Sequence, residues 1–275
     1  FELPQTYFFE GEDRNLIDAL DYYETDGLIV LNNETILYEN YWHDNHQASQ
    51  HISWSVAKSF LSALIGIAVE RGQINSINDP ITKYLKDFTN TGYNNVSIKN
   101  LLQMSSGIKF NEDYADYNSD INRFGRTISF GTSMREFAKS LENEKPQGTY
   151  NHYVSIDTQM LAMLLEEVTG KTVTDNLIDD IWHKIGMEHD AYYMVDDTGM
   201  EVALGGLNAS LRDYAKFGLL YLNRGFWNGE EIVPSEWVDA SHRIDEDHLR
   251  PGENINSSSS WGYGYQWWIP GFPDD

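Results

Sequence analysis

Residues 60–69 carry Phe60, Leu61, Ala63, Leu64, Ile65, Ile67, Ala68 and Val69, with only Ser62 and Gly66 between them. At helical spacing this composition leaves no polar stripe, so the segment cannot lie on a surface as an amphipathic helix does. It is also too short to span a bilayer, as is every other apolar run in the chain. It must be a core helix wrapped by other elements. A chain of 275 residues, 41% hydrophobic and 13% aromatic, can supply that wrapping in about one or two domains. Gly72, after Glu70 and Arg71, reads as the C-terminal stop of the helix.

The first turn of this helix carries chemistry. In Ser55-Val56-Ala57-Lys58, serine and lysine stand at i and i+3 and share a helix face. A serine hydroxyl is a poor nucleophile until a neighbouring base takes its proton, and an unprotonated lysine can do that. The helix dipole disfavours a cation in the first turn, and burial lowers a lysine pKa. Both effects push Lys58 toward the neutral amine. The pair points to acyl transfer through a covalent serine intermediate. The plain alternative is an exposed serine and lysine on an ordinary helix.

Charge narrows the partners. Nineteen Lys and Arg stand against 43 Asp and Glu, a net charge of −24. Such a chain repels nucleic acid and anionic membranes. The acidic residues are scattered and read as solvated surface rather than a metal cluster. Cysteine is absent, which excludes disulfides, thiolate metal sites and cysteine catalysis. His43 and His46 stand three apart in a polar stretch without further ligands, so no metal site is expected there. His51 and His183 are isolated, and all four histidines are read as surface or packing residues. The start at Phe1 rather than Met is read as a processed N-terminus. It predicts a secreted or periplasmic protein, with the cytoplasm as the alternative.

The order of elements suggests an α+β fold. Segments 27–31 and 35–38 flank Asn32-Asn33-Glu34 as a β-hairpin. Residues from about 73 to 200 form a helical, loop-rich region. Helices are expected near 101–104 and 134–141, from Ile156 to Val168 with a stop at Gly170, and from Thr174 to Ile185. Ser210 to Asp213 reads as a variant capping box, and Pro234 as a first-turn proline. The aromatic run Tyr263 to Ile269 reads as a returning strand. The picture is an antiparallel sheet flanked by helices, with a helical region inserted between its strands.

A second chemical element precedes the helix from Ile156. A tyrosine hydroxyl near a lysine amine can shuttle protons, and a cationic neighbour would lower its pKa. Most tyrosines in such loops are structural. Tyr150 and Tyr153 both compete for the role. His152 between them reads as structural or pocket-lining.

Taken together, these segments resemble the serine β-lactamase-like hydrolases: class C β-lactamases, penicillin-binding DD-peptidases, related esterases and nylon-oligomer (aminohexanoate-dimer) hydrolases. Trp54 to Phe60 resembles the nucleophile motif of that group. Leu101 to Gly107 is similar to its LLxMxSG segment. Gly148-Thr149 followed by Tyr153-x-Ser155 is similar to its Tyr-x-Asn or Tyr-x-Ser motif, in the serine form nearest the nylon-oligomer branch. Gly205 to Ala209 and Trp261 to Trp268 match further segments in the family's order. The resemblance favours Tyr153 over Tyr150 by its spacing from Thr149.

The resemblance implies one catalytic domain over residues 1–275, acting on small amides or esters without metal or cofactor. Ser55 would be acylated, Lys58 would activate it, and Tyr153 would relay the proton. Ser155 would orient Lys58 or the substrate, and the Ser55 N–H would supply half an oxyanion hole. Trp54, Gly206, Asn208 and Trp261 are candidates for lining the substrate site. The family's third motif lies on a strand after the segment ending at Trp268, and the sequence reaches Asp275 without it. That predicts a site short of its second oxyanion donor and a sheet short of strands. Peptidoglycan stems and β-lactams remain alternative substrates. A non-catalytic binding module on the same scaffold is the alternative function. The sequence does not specify an oligomeric state.

Overall fold

The computed structural model describes residues 2–252 and 257–271. The chain opens with an antiparallel hairpin, β1 (Thr6–Phe9) and β2 (Glu12–Asn15), and a short helix, α1 (Leu16–Tyr22). Asn15 caps α1 by accepting from the Asp18 N–H at 3.1 Å. Neither element is evident from the sequence pattern. The foreseen hairpin follows as β3 (Gly27–Asn32) and β4 (Thr35–Tyr41), turning through Asn33 at φ 50°. β5 (His51–Ile52) then delivers the chain to the core helix α2 (Val56–Glu70), which ends at Arg71 and Gly72 as expected.

Every residue of α2 from Ala57 to Ala68 is buried. α6 (Ser155–Thr169) and α7 (Val173–Leu177) pack on it, α3 (Ile98–Leu102) and α5 (Met134–Lys139) pack on α6, and α4 (Asp120–Ser129) packs on α5. α6 ends at Gly170 in the left-handed region, as the sequence predicts. The helix foreseen from Thr174 to Ile185 is instead α7 running into a π-helical turn, Ile178–Trp182. β6 (Tyr192–Tyr193) and β7 (Leu207–Ala209) complete a three-stranded antiparallel sheet in the order β5-β7-β6. Asn208 stands opposite Ile52 on one side and Tyr192 on the other. α8 (Leu211–Leu222) packs on β3. β8 (Phe226–Trp227), β9 (Glu230–Glu231) and α9 (Ser235–Ser241) follow.

Three local expectations are corrected. The aromatic run is not one strand but a small hairpin, β10 (Gly262–Tyr263) and β11 (Trp268–Ile269), and it pairs with itself rather than with β3 or β4. Its turn is set by Gln266 at φ 62°, whose buried side chain donates to the Leu101 and Leu102 carbonyls and accepts from Thr158. Gln266 thereby ties α3 and α6 together, and that tie outweighs the β propensity of its neighbours. At Ser210 the serine half of the box forms, but Asp213 accepts from the Ser210 hydroxyl at 2.6 Å and from the Glu188 and His189 N–H groups. Pro234 is the N-cap residue of α9 rather than part of its first turn. The mixed class with antiparallel pairing stands. Residues 272–275, and with them the reading drawn from the stop at Asp275, lie outside the described residues, as does Phe1.

Helix α2 meets α9 where Trp237 lies flat against Gly66. A Cβ on Gly66 would sit 2.5–2.6 Å from the indole ring. Gly→Ala inside a helix ordinarily stabilises by about 0.5–1 kcal/mol. Here overpacking reverses the sign, and Gly66→Ala is expected to cost about 1–3 kcal/mol. The urea midpoint should fall; an unchanged or raised midpoint would contradict the packing.

Candidate active site

The path into α2 is a sharp turn that raises Ser55 above the core. Ser53 still belongs to the sheet, donating its N–H to Leu207 at 2.8 Å. Trp54 then adopts φ 45°, a left-handed conformation that a bulky residue takes only under constraint. Ser55 follows as the N-cap, half-buried between exposed Trp54 and Val56. Its hydroxyl makes no capping hydrogen bond and its N–H has no partner among the described residues.

Lys58 lies one turn below. Its Nζ is 3.1 Å from Ser55 Oγ and donates to the Leu204 carbonyl, which anchors it. The side chain is 1% exposed. Burial pushes its pKa down to about 7, with the Glu112 carboxylate pulling the other way. A substantial fraction of Lys58 is therefore a neutral amine at neutral pH, as its position in the first turn of a buried helix predicts.

Tyr153 comes to the same point from the loop before α6. Its ring centre is 5.3 Å from Lys58 Nζ, and the nearby Ser55 hydroxyl favours the charged form of its phenol. The ring stacks on Trp268 at 5.1 Å and meets Tyr263 edge-on at 6.1 Å, so the aromatic hairpin fixes it from behind. The expected lowering of its pKa does not occur. Burial raises it instead, because the phenolate would be poorly solvated there. Tyr153 is a neutral phenol that can pass a proton from one side to the other. Tyr150 lies elsewhere, with Lys145 Nζ 3.3 Å above its ring, and His152 bonds with the Phe110 carbonyl.

Ser155 is the first residue of α6 and is buried, but its hydroxyl does not reach for Lys58. It donates to Glu112 Oε1, while its N–H donates to Oε2 at 3.0 Å. The reason is local: α6 has no side-chain cap of its own at Val154, so a carboxylate from 43 residues earlier takes the orphan donors. Nothing in the spacing of the sequence connects Glu112 to this helix. The Leu204 carbonyl, a backbone group, was equally invisible.

The remaining candidates are less central. Asn208 is buried in β7 and spends its amide N–H on the Gly206 carbonyl at 3.0 Å. Gly206 is required by packing, since a Cβ would meet Val202 at 2.9 Å. Trp54 and Trp261 are 66% and 50% exposed, which leaves both rings free to meet a ligand. His43 and His51 share Asp26, at 3.2 and 2.7 Å, and hold the start of β3 to the start of β5.

Asp157, two residues beyond Ser155, is fully buried. It accepts from Tyr93 at 3.0 Å, and its Oδ2 has no partner among the described residues. Burial raises its pKa to about 8. The folded state therefore binds this proton more tightly than the unfolded chain, so the stability it confers is full below the ordinary aspartate value of 3.8 and is lost as pH rises toward 8. Asp157→Asn should shrink the drop in melting temperature between pH 5 and pH 8.5. A drop as large as in the wild type would contradict the assignment.

The Beta-lactamase family model matches residues 14–275. The chain is 29% identical over 255 residues to the 6-aminohexanoate-dimer hydrolase of Paenarthrobacter ureafaciens, covering 90% of this chain. It spans 64% of the length of that relative. A Bacillus anthracis structure assigned as a 6-aminohexanoate-dimer hydrolase superposes with a TM-score of 0.84 at 28% identity, over 96% of this chain and 70% of that one. A D-stereospecific amidohydrolase from Streptomyces shares the fold at 14% identity, with a TM-score of 0.70 over 94% and 83% of the two chains. The chain belongs to the Beta-lactamase family.

Proposed function

We propose that this protein hydrolyses a small amide or ester through an acyl-enzyme on Ser55. The observation that carries the reading is the 3.1 Å approach of Lys58 Nζ to Ser55 Oγ, with the amine buried. In the forward step Ser55 Oγ attacks the substrate carbonyl and its proton passes to Lys58. The carbonyl oxygen takes the electron pair and accepts from the Ser55 N–H. One such donor is worth about 2.7–4 kcal/mol in comparable sites. Tyr153, beside Lys58, then hands its proton to the leaving amine or alcohol as the bond from that group to the carbonyl carbon breaks, and Lys58 returns the serine's proton to the phenol. Water enters by the same route in reverse and releases the acid.

The relatives suggest the substrate class. One is named for hydrolysis of 6-aminohexanoate dimer, a linear amide. The exposed Trp54 and Trp261 rings would give the methylene chain of such a substrate apolar contacts. The test is a turnover panel of 6-aminohexanoate dimer, a p-nitrophenyl acyl ester and benzylpenicillin. Turnover of the linear amide or the ester, with kcat/KM rising through about pH 7 as Lys58 loses its proton, is the expected result. Saturable binding without turnover of any of the three would favour a binding module instead.

A further inference from the structure

One charged group at the site has no part in the mechanism above. Glu112 sits on the loop between α3 and α4, and three donors converge on its carboxylate. Ser155 contributes its N–H at 3.0 Å and its hydroxyl, and Tyr114 its hydroxyl at 2.8 Å. Ser155 opens α6 two residues after Tyr153, whose ring centre is 5.3 Å from Lys58 Nζ, so the carboxylate that holds Ser155 lies beside the Lys58–Tyr153 pair and favours the charged form of the lysine. It is the charged group that bears on Lys58; the other polar contacts of that amine are the Ser55 hydroxyl and the Leu204 carbonyl, both neutral. Tyr114, Asp157 and Tyr263 feel the same carboxylate. Its hold on Ser155 has a second effect. Ser155 has one O–H and gives it to Glu112, so toward everything else that oxygen can only accept.

We propose that Glu112 is a positioning residue: it supplies the counter-charge for the ammonium formed on Lys58 when Ser55 gives up its proton, and it holds Ser155 as an acceptor. The inference rests on the acyl-enzyme reading. The proton balance is simple. Ser55 loses its hydroxyl proton and Lys58 gains it, so a buried cation appears where a neutral amine stood. Without an anion nearby that cation would be disfavoured by burial alone. The carboxylate is already fixed by α6 and Tyr114, so no reorganisation is needed when the charge appears.

Glu112→Gln tests this, with Glu112→Asp and Ser155→Ala beside it. The readouts are kcat/KM against pH, the rate of fluorophosphonate labelling of Ser55, and the thermal unfolding midpoint. Removing the carboxylate removes the influence that raises the Lys58 pKa. The acid limb should therefore move to lower pH. The plateau should fall about tenfold, equivalent to one unit of lost charge stabilisation. Glu112→Asp keeps the charge and should hold the limb nearer the wild-type position. Ser155→Ala should lower the plateau with a smaller shift of the limb. Loss of fold alone would depress every rate without moving the limb, and the labelling profile, read on the folded fraction, separates the two. An acid limb in Glu112→Gln that coincides with wild type, while wild type still labels on Ser55, overturns this inference and leaves the acyl-enzyme intact. Absence of labelling in the wild type overturns both.

Discussion

Ser55→Ala is expected to reduce kcat by about 10⁶-fold, the loss seen when the nucleophile of a concerted serine site is removed. The magnitude follows from covalency. Without Oγ there is no acyl-enzyme, and Lys58 and Tyr153 are left facing a methyl group, so none of their proton transfers has a partner. The fold should survive. Ser55 is half-buried and its hydroxyl caps nothing in α2. The strained Trp54 turn is held by backbone bonds from Val56 to Ser53 and from Ala57 to Trp54, which alanine keeps. Steady-state turnover and the unfolding midpoint decide the matter together. Activity within tenfold of wild type, with the midpoint unchanged, would show that Ser55 is not the nucleophile.

Lys58→Met is the second large effect. Methionine nearly matches lysine in length and packs in the same buried channel, but it cannot take a proton. General-base assistance alone contributes about 10²–10⁴-fold. Because serine and base act as a unit, the loss should approach that of Ser55→Ala rather than add to it. The double variant should therefore be no worse than either single one. Stability should change little. The Leu204 carbonyl loses its donor, which costs about 1–3 kcal/mol, while the core is relieved of a buried amine whose desolvation costs a similar amount. Purely additive losses in the double variant would mean that the two residues do not act on one step.

How the sequence encodes this site divides along physical lines. The α2 segment was legible because an all-apolar helix has one possible place, and its first turn carries Ser55 and Lys58 with it. Gly170 and Gly72 were legible as stops because a left-handed residue at a helix end favours glycine. Tyr153 was legible only through its spacing from Thr149, and the structure puts it beside Lys58 where Tyr150 is not. Glu112 and Leu204 were not legible. One reaches Ser155 across 43 residues of loop and helix, and the other acts through a carbonyl that every residue possesses. The aromatic hairpin was misread for a related reason. Its local composition favours a strand, and only the buried bonds of Gln266 to α3 show why it turns. Ser155 was expected to orient Lys58 or the substrate, and its hydroxyl instead donates to a carboxylate from a loop with no pattern of its own.

The site as a whole is a device for placing a poorly solvated amine beside a hydroxyl. α2 supplies both groups, the β7 approach supplies the Leu204 carbonyl that holds the amine, and the aromatic hairpin supplies the wall behind Tyr153. The Ser55–Lys58 pair is therefore the claim on which the rest depends. It is tested most directly by incubating the protein with a fluorophosphonate and locating the adduct by peptide mass spectrometry. A single adduct on the peptide containing Ser55, forming faster as pH rises through about 7 and absent in Ser55→Ala, is the predicted result. No adduct on Ser55, or one that forms as readily in Lys58→Met, would contradict it.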